Sequence, residues 1–149
     1  MANSNGNFIK SYHMEVGINH VPAYQVSGRP YISSSVIYND TARVVSLPYV
    51  SRWFQVYNKG VSDLRVGFSA HGIEGIAGPD GNESHYFIVP PSGSGGFGKS
   101  EQFEIKVSEI WLYGATAGTC DVVSGLTTIP SQRCNTTSGN SWSGSAGVG

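Results

Sequence analysis

From Tyr12 to Asn19 the chain reads YHMEVGIN. Tyr12, Met14, Val16 and Ile18 alternate there with His13, Glu15, Gly17 and Asn19. A period of two puts four apolar groups on one face of a strand. The pattern recurs in RWFQVYN (52–58), where Phe54 and Val56 alternate with Trp53, Gln55 and Tyr57, and in LRVGFSA (64–70), where Leu64, Val66 and Phe68 form the inward set. Its cleanest instance is QFEIKVS (102–108), with Phe103, Ile105 and Val107 set against Glu104, Lys106 and Ser108. Shorter strands are predicted over residues 31–38, 43–47, 86–89, 110–113 and 121–126.

Turn formers separate these runs: Pro22, Gly28, Pro30, Asn39, Asp40, Gly60, Pro79, Gly81, Pro90, Pro91 and Gly114. No window of a dozen residues carries a 3.6-residue apolar stripe. About eight short strands with frequent turns predict an all-β chain, an antiparallel β-sandwich or barrel. One domain is expected: a polar N-terminal arm over 1–11, the sandwich over 12–130, and a Gly/Ser-rich tail over 131–149 whose composition cannot build a core of its own.

Length and composition sharpen this picture. At 149 residues with 39% hydrophobic content, the chain can bury a core without metals or a disulfide framework. Charged residues are only 13%, against roughly 25% in ordinary soluble domains. Such a surface suits coverage by neighbours, because interfaces deplete charge. Net charge is −1 and no Lys/Arg cluster exists, which argues against direct contact with nucleic acid. The opening MANSNGNFIK has no basic start and apolar run, so neither a secretory signal nor a membrane span is expected. Cys120 and Cys134 can either bridge their 14-residue separation or remain two idle thiols.

One stretch raises the question of nucleotide chemistry. GSGGFGKS (93–100) fits the phosphate-binding loop G-x-x-x-x-G-K-[ST] letter for letter. That chemistry needs a helix after Lys99 and Ser100, to supply free N–H groups and a dipole. The following residues alternate with period two, so a strand is expected instead and the match is read as a Gly/Ser hairpin loop.

Other chemistry is thinly signalled. His71 and His85 flank a loop with Glu74, Asp80 and Glu83, but without the spacing of a metal site. GFSAH (67–71) lacks the second glycine of a nucleophile elbow. No enzyme, metal or cofactor is expected. Asn39, Asn82 and Asn135 each begin an N-x-[ST] sequon in an expected loop, and are candidate glycosylation positions. Trp53, Tyr57, Trp111 and Tyr113 alternate out of phase with their strands' main apolar sets. They form a candidate protein interface or sugar-stacking platform. The competing reading buries both faces of the longer strands, or flips Trp111 and Tyr113 inward through a bulge near Ser108.

The order of VPAYQVSGRPYISSS (21–35), LPYVSRWFQVYNKGVSDLRVGFSAHGIEG (47–75), HYFIVP (85–90) and FEIKVSEIWLYG (103–114) resembles that of small single jelly-roll capsid proteins of large icosahedral nucleocytoplasmic DNA viruses. Proteins of that kind form pentameric vertices (pentons) or minor capsid components. The resemblance implies a single jelly roll of about eight strands and a structural role in the virion shell after synthesis in the host cytoplasm. Its partners would be copies of itself, in a pentamer, and neighbouring capsid proteins. It transfers no functional residues, and the Gly/Ser/Thr-rich end with its two cysteines has no counterpart in the pattern. The alternative from a different class is a carbohydrate-binding sandwich, or a host-attachment role, using the exposed aromatics.

Overall fold

The computed structural model describes residue 18 and residues 28–75, 84–93 and 98–149. The arm over 1–11 and the strand expected over 12–19 lie outside the described residues, apart from Ile18. Among the described residues are seven strands: β1 (Arg29–Tyr38), β2 (Arg43–Ser46), β3 (Tyr49–Asn58), β4 (Leu64–Gly67), β5 (Tyr86–Val89), β6 (Glu109–Tyr113) and β7 (Gly118–Pro130). All pairings are antiparallel. They build two sheets, ordered β1-β7-β3 and β2-β6-β4-β5. The inner faces meet over one core, with Tyr38, Phe54, Val56, Cys120 and Val122 from the first sheet and Val45, Leu64, Val66, Val89, Ile110 and Leu112 from the second. The chain is an all-β sandwich, as the period of two predicts.

The pairing is nested. β1 pairs with β7, β2 with β6 and β4 with β5. The remaining strand, β3, has β7 on one side and residues 98–108 along the other. The chain thus folds like one long hairpin wound over itself, and each sheet takes alternate layers of it.

Residues 98–108 depart from expectation. The alternation over 102–108 is the cleanest in the sequence, yet the segment forms only isolated bridges to β3, at Lys99–Tyr57 and Phe103–Phe54. The backbone bonds show why. Val56 pairs with Ser100, Phe54 exchanges bonds with Phe103, and the Ser51 N–H donates to the Val107 carbonyl. Two steps along β3 are answered by three, then three by four. Each extra residue is a bulge that interrupts the ladder. Two hydroxyls fill the gaps. Ser100 Oγ accepts from the Val56 N–H at 3.0 Å. Ser51 Oγ donates to the Ile105 carbonyl at 2.7 Å and accepts from the Val107 N–H at 3.0 Å. Ser108 then ends the segment, and the chain crosses to the other sheet as β6, where the buried positions change from odd to even.

The strand expected over 64–70 stops at Gly67. Helix α1 (Ala70–Glu74) follows, capped by Ser69, whose hydroxyl accepts from the Gly72 N–H at 2.9 Å, and closed by Gly75 at φ 72°. Five residues are too few to show a helical stripe. A local Ser cap and a left-handed glycine define it instead. Phe68 still reaches the core, edge-on to Phe54 at 5.9 Å, while Phe103 stacks on Phe54 and meets Phe87.

The Gly/Ser-rich end is not a bare tail. A 3-10 turn at Ser131–Cys134 leads into a compact series of turns. Ser141 is fully buried and its hydroxyl accepts from the Ser108 N–H at 3.1 Å. Trp142 packs against both hydrophobic clusters and donates its indole N–H to the Lys106 carbonyl. The Val148 carbonyl accepts from Ser69 Oγ at 2.7 Å. This segment builds no core of its own. It completes a small cluster in which Val50 of β3 and Ile129 of β7 meet its own Cys134, with Trp142 packed against them.

Candidate functional site

The four candidate aromatics all project outward, but in two pairs on opposite faces. Trp53 and Tyr57 stand on the outside of the β1-β7-β3 sheet. The Trp53 indole lies over Gly125, where an added Cβ would fall 2.3 Å from Nε1. Tyr57 donates to Gln55 Oε1 at 2.8 Å. Around them on that face are Ile32 and Ile37 of β1, 65% and 64% exposed, and half-buried Val123 of β7. Ile32 and Gln55 both sit opposite Val123 across their ladders. These apolar side chains share the face with Gln55 and with Asp121, which stands opposite Tyr57 on the central strand and pairs with Lys59 at 2.6 Å.

Trp111 and Tyr113 lie on the outside of the other sheet, since Ile110 and Leu112 take the inward positions of β6. The bulges precede Ser108 and do not turn Trp111 inward. Trp111 Nε1 donates to Glu109 Oε2 at 3.3 Å. Tyr113 donates to Asp40 Oδ1, and that bond raises its pKa. The Arg65 guanidinium lies over the rings of Tyr86 at 4.6 Å and Tyr113 at 5.1 Å. A single platform of four aromatics does not exist.

Beside Trp111 is a feature that no motif announced. A cleft of about 260 Å³ opens between the end of the β2–β6 pair and the C-terminal turns. Ser46, Glu109, Ser131, Gln132, Asn135 and Asn140 form its walls, over a floor of Leu47 and Ser108. Of these the sequence marks only Asn135, as a sequon. Residues from three separate segments meet here, so no spacing rule reaches them.

The remaining candidates are scattered. Asn39 is exposed in the turn after β1, Asn135 is exposed with Oδ1 accepting from the Ser141 N–H at 3.2 Å, and Asn82 lies outside the described residues. His71 is exposed on α1, His85 is half-buried before β5, and Glu74 Oε1 accepts from the Ala42 N–H at 3.4 Å. Asp80 and Glu83 lie outside the described residues. Among the described residues no three His, Cys, Asp or Glu side chains gather as a metal site. Lys99 is exposed, and extended backbone rather than a helix follows it, so the phosphate-loop letters lack the helix their chemistry requires. Cys120 and Cys134 are free and buried. Burial, with Asp121 nearby, pushes the Cys120 thiol up to about 12, and burial also raises Cys134. Neither is poised as a nucleophile. Among the described residues no helix is long and apolar enough to cross a membrane.

No protein-family model, no curated protein and no solved structure matches this chain. Fold and surface alone define its class: an antiparallel β-sandwich with an apolar outer sheet face and a separate polar cleft.

Proposed function

We propose that this chain is a structural subunit of an icosahedral viral capsid. In this reading it is a single jelly roll that packs against copies of itself, at a fivefold vertex or as a minor component elsewhere in the shell. The observation that carries the reading is the apolar outer face of the β1-β7-β3 sheet, where Ile32, Ile37, Trp53, Tyr57 and Val123 lie together. The opposite face of the same sheet already encloses the core, so this second apolar face has no folding role to explain it. Several exposed apolar side chains on one face of a sandwich with so few charges favour a protein partner.

Two further features support it. The nested pairing of β1 with β7, β2 with β6, β3 with 98–108 and β4 with β5 supports the jelly-roll reading. β1 is also an edge strand of its sheet among the described residues, and sheet edges are where one chain can pair with another. A ring of five uses heterologous contacts, one face of each copy meeting a different face of the next.

Sedimentation velocity over a wide concentration range tests this. The expected result is a discrete oligomer that Ile32→Lys/Ile37→Lys reduces to monomer without changing the circular dichroism spectrum. A wild-type chain that stays monomeric throughout removes the proposal. A second reading, a sugar-binding sandwich, is favoured by the polar cleft beside Trp111.

A further inference from the structure

The cleft between the β2–β6 end and the C-terminal turns has a chemistry of its own. Its walls are two hydroxyls, three carboxamides and one carboxylate, with no Lys or Arg and with Leu47 as the single apolar contributor. Hydroxyls and carboxamides both donate and accept, which fits a ligand whose groups do the same. A lone carboxylate repels anions and is too little for a metal ion. The volume, about 260 Å³, lies just below the roughly 300–1,000 Å³ of small-molecule sites, so it holds one small ring.

The walls are tied in place. The Leu47 N–H donates to the Ser108 carbonyl at 2.8 Å and the Ser131 N–H to the Pro48 carbonyl at 3.4 Å. The Ser108 N–H reaches Ser141 Oγ, and the Ser141 N–H reaches Asn135 Oδ1. Three segments are thereby fixed before any ligand arrives, which lowers the ordering cost of binding. Gln132 and Asn140 are exposed, and their carboxamides have no hydrogen-bond partner among the described residues. Trp111 projects from the same face of β6 as Glu109, and its indole N–H holds the carboxylate. An aromatic ring is thus one hydrogen bond from the polar lining.

We propose that this cleft binds one neutral sugar ring, with Glu109, Gln132 and Asn140 bonding its hydroxyls and Trp111 flanking it. The ring is either the end of a free glycan or a sugar attached at Asn135, whose sequon borders the cleft. The site lies apart from the apolar sheet face, so it stands or falls independently of assembly.

The test uses ¹⁵N-labelled full-length protein from a host without N-glycosylation. It is titrated with the methyl glycosides of glucose, galactose, mannose and N-acetylglucosamine, and with sialic acid as the anionic comparison. The expected result is a saturable amide shift for at least one neutral glycoside, confined to residues 46–47, 108–111 and 131–141, with sialic acid failing to produce it. Glu109→Gln and Gln132→Ala each weaken that binding about tenfold, the loss of one hydrogen bond of the stronger kind. Gln132 is exposed, so its variant retains the fold and keeps the test valid if Glu109→Gln does not. Ile37→Lys leaves binding unchanged. No saturable shift with any neutral glycoside, a shift centred on Trp53, or indifference to both cleft variants overturns the proposal. In protein from a eukaryotic host, Asn135 glycosylation that blocks free glycoside, with binding restored by Thr137→Ala, identifies the attached sugar as the natural occupant. An unmodified Asn135 with binding intact identifies a free glycan.

Discussion

The Tyr38 hydroxyl donates to Asn58 Oδ1 at 2.8 Å, both side chains buried, and links the end of β1 to the end of β3. Asn58 is saturated. Oδ1 also accepts from the Gly60 N–H, and Nδ2 donates to the carbonyls of Ser62 and Val89. One side chain therefore joins β1, the β3–β4 turn and β5. Tyr38→Phe leaves Asn58 Oδ1 its Gly60 bond and should cost about 1 kcal/mol in urea denaturation. Asn58→Ala strands four groups at once and should cost about 3–4 kcal/mol. A double-mutant cycle should return about 1 kcal/mol of coupling.

Three glycines frame the same ring. An added Cβ would fall 2.1 Å from Tyr38 atoms at Gly60 and 2.4 Å at both Gly114 and Gly118. Gly118→Ala is therefore expected to destabilise by about 1–3 kcal/mol through overpacking. In a Tyr38→Ala background the atoms it strikes are gone, and the extra cost of Gly118→Ala should nearly vanish. Equal costs in both backgrounds, read from urea midpoints, would rule this packing account out.

Much of this was legible in the sequence. The period of two marked all seven described strands to within a few residues, because each has one face on the core, as Leu64 and Val66 or Ile110 and Leu112 illustrate. It could not give register. Residues 102–108 alternate well and still fail to form a regular strand, since regularity depends on the spacing of a partner far along the chain. The C-terminal segment was misleading for a related reason. Gly and Ser carry little burial signal, but Ser141 and Trp142 need only complete a core built elsewhere. The cleft gathers Ser46, Glu109 and Asn140 by folding alone, so it was invisible before the fold was known.

Burial and its consequence for pH meet at Cys120. Its thiol sits at about 12 in the folded chain, against about 9 for the free group. A raised pKa means the folded state keeps its proton after the unfolded state has lost it. Stability is full below pH 9 and falls as pH rises from there towards 12, by up to about 1.4 kcal/mol per pH unit. Tyr38, also raised by burial, adds to the decline in the same direction. Urea midpoints should drop steeply above pH 9 in the wild type and less steeply in Cys120→Ala, whose midpoint starts lower at neutral pH. Ellman's reagent should find neither thiol in the native state and both in urea.

The C-terminal turns act as a plug, and Trp142 is its anchor. Half-buried against both hydrophobic clusters, Trp142→Ala should cost about 2–3 kcal/mol, below the 3–5 kcal/mol of a fully enclosed aromatic. Deleting residues 135–149 should cost more, because Val50, Ile129 and Cys134 then meet water. Thermal melting checks both. A truncated chain as stable as the intact one would show that these turns contribute nothing to the core.

Ser51 offers the sharpest test of how residues 98–108 stay attached. Where the ladder to β3 slips, its hydroxyl stands in for backbone, donating to the Ile105 carbonyl and accepting from the Val107 N–H. Ser51 is fully buried, so water cannot replace it. Ser51→Ala removes little volume but strands a donor and an acceptor, which predicts a loss of about 2–3 kcal/mol. Ser51→Thr keeps the hydroxyl and should recover part of that loss, to the extent that the extra methyl is tolerated. Because the damage falls at one edge, hydrogen exchange should quicken at Val107 well before it changes at Val122 on the central strand β7. Uniform loss of protection across both sheets would mean that the serine supports the whole sandwich rather than this edge. Unchanged stability would mean that the backbone bonds at Ser100 and Phe103, with Phe103 stacked on Phe54, hold the bulged edge without the Ser51 hydroxyl.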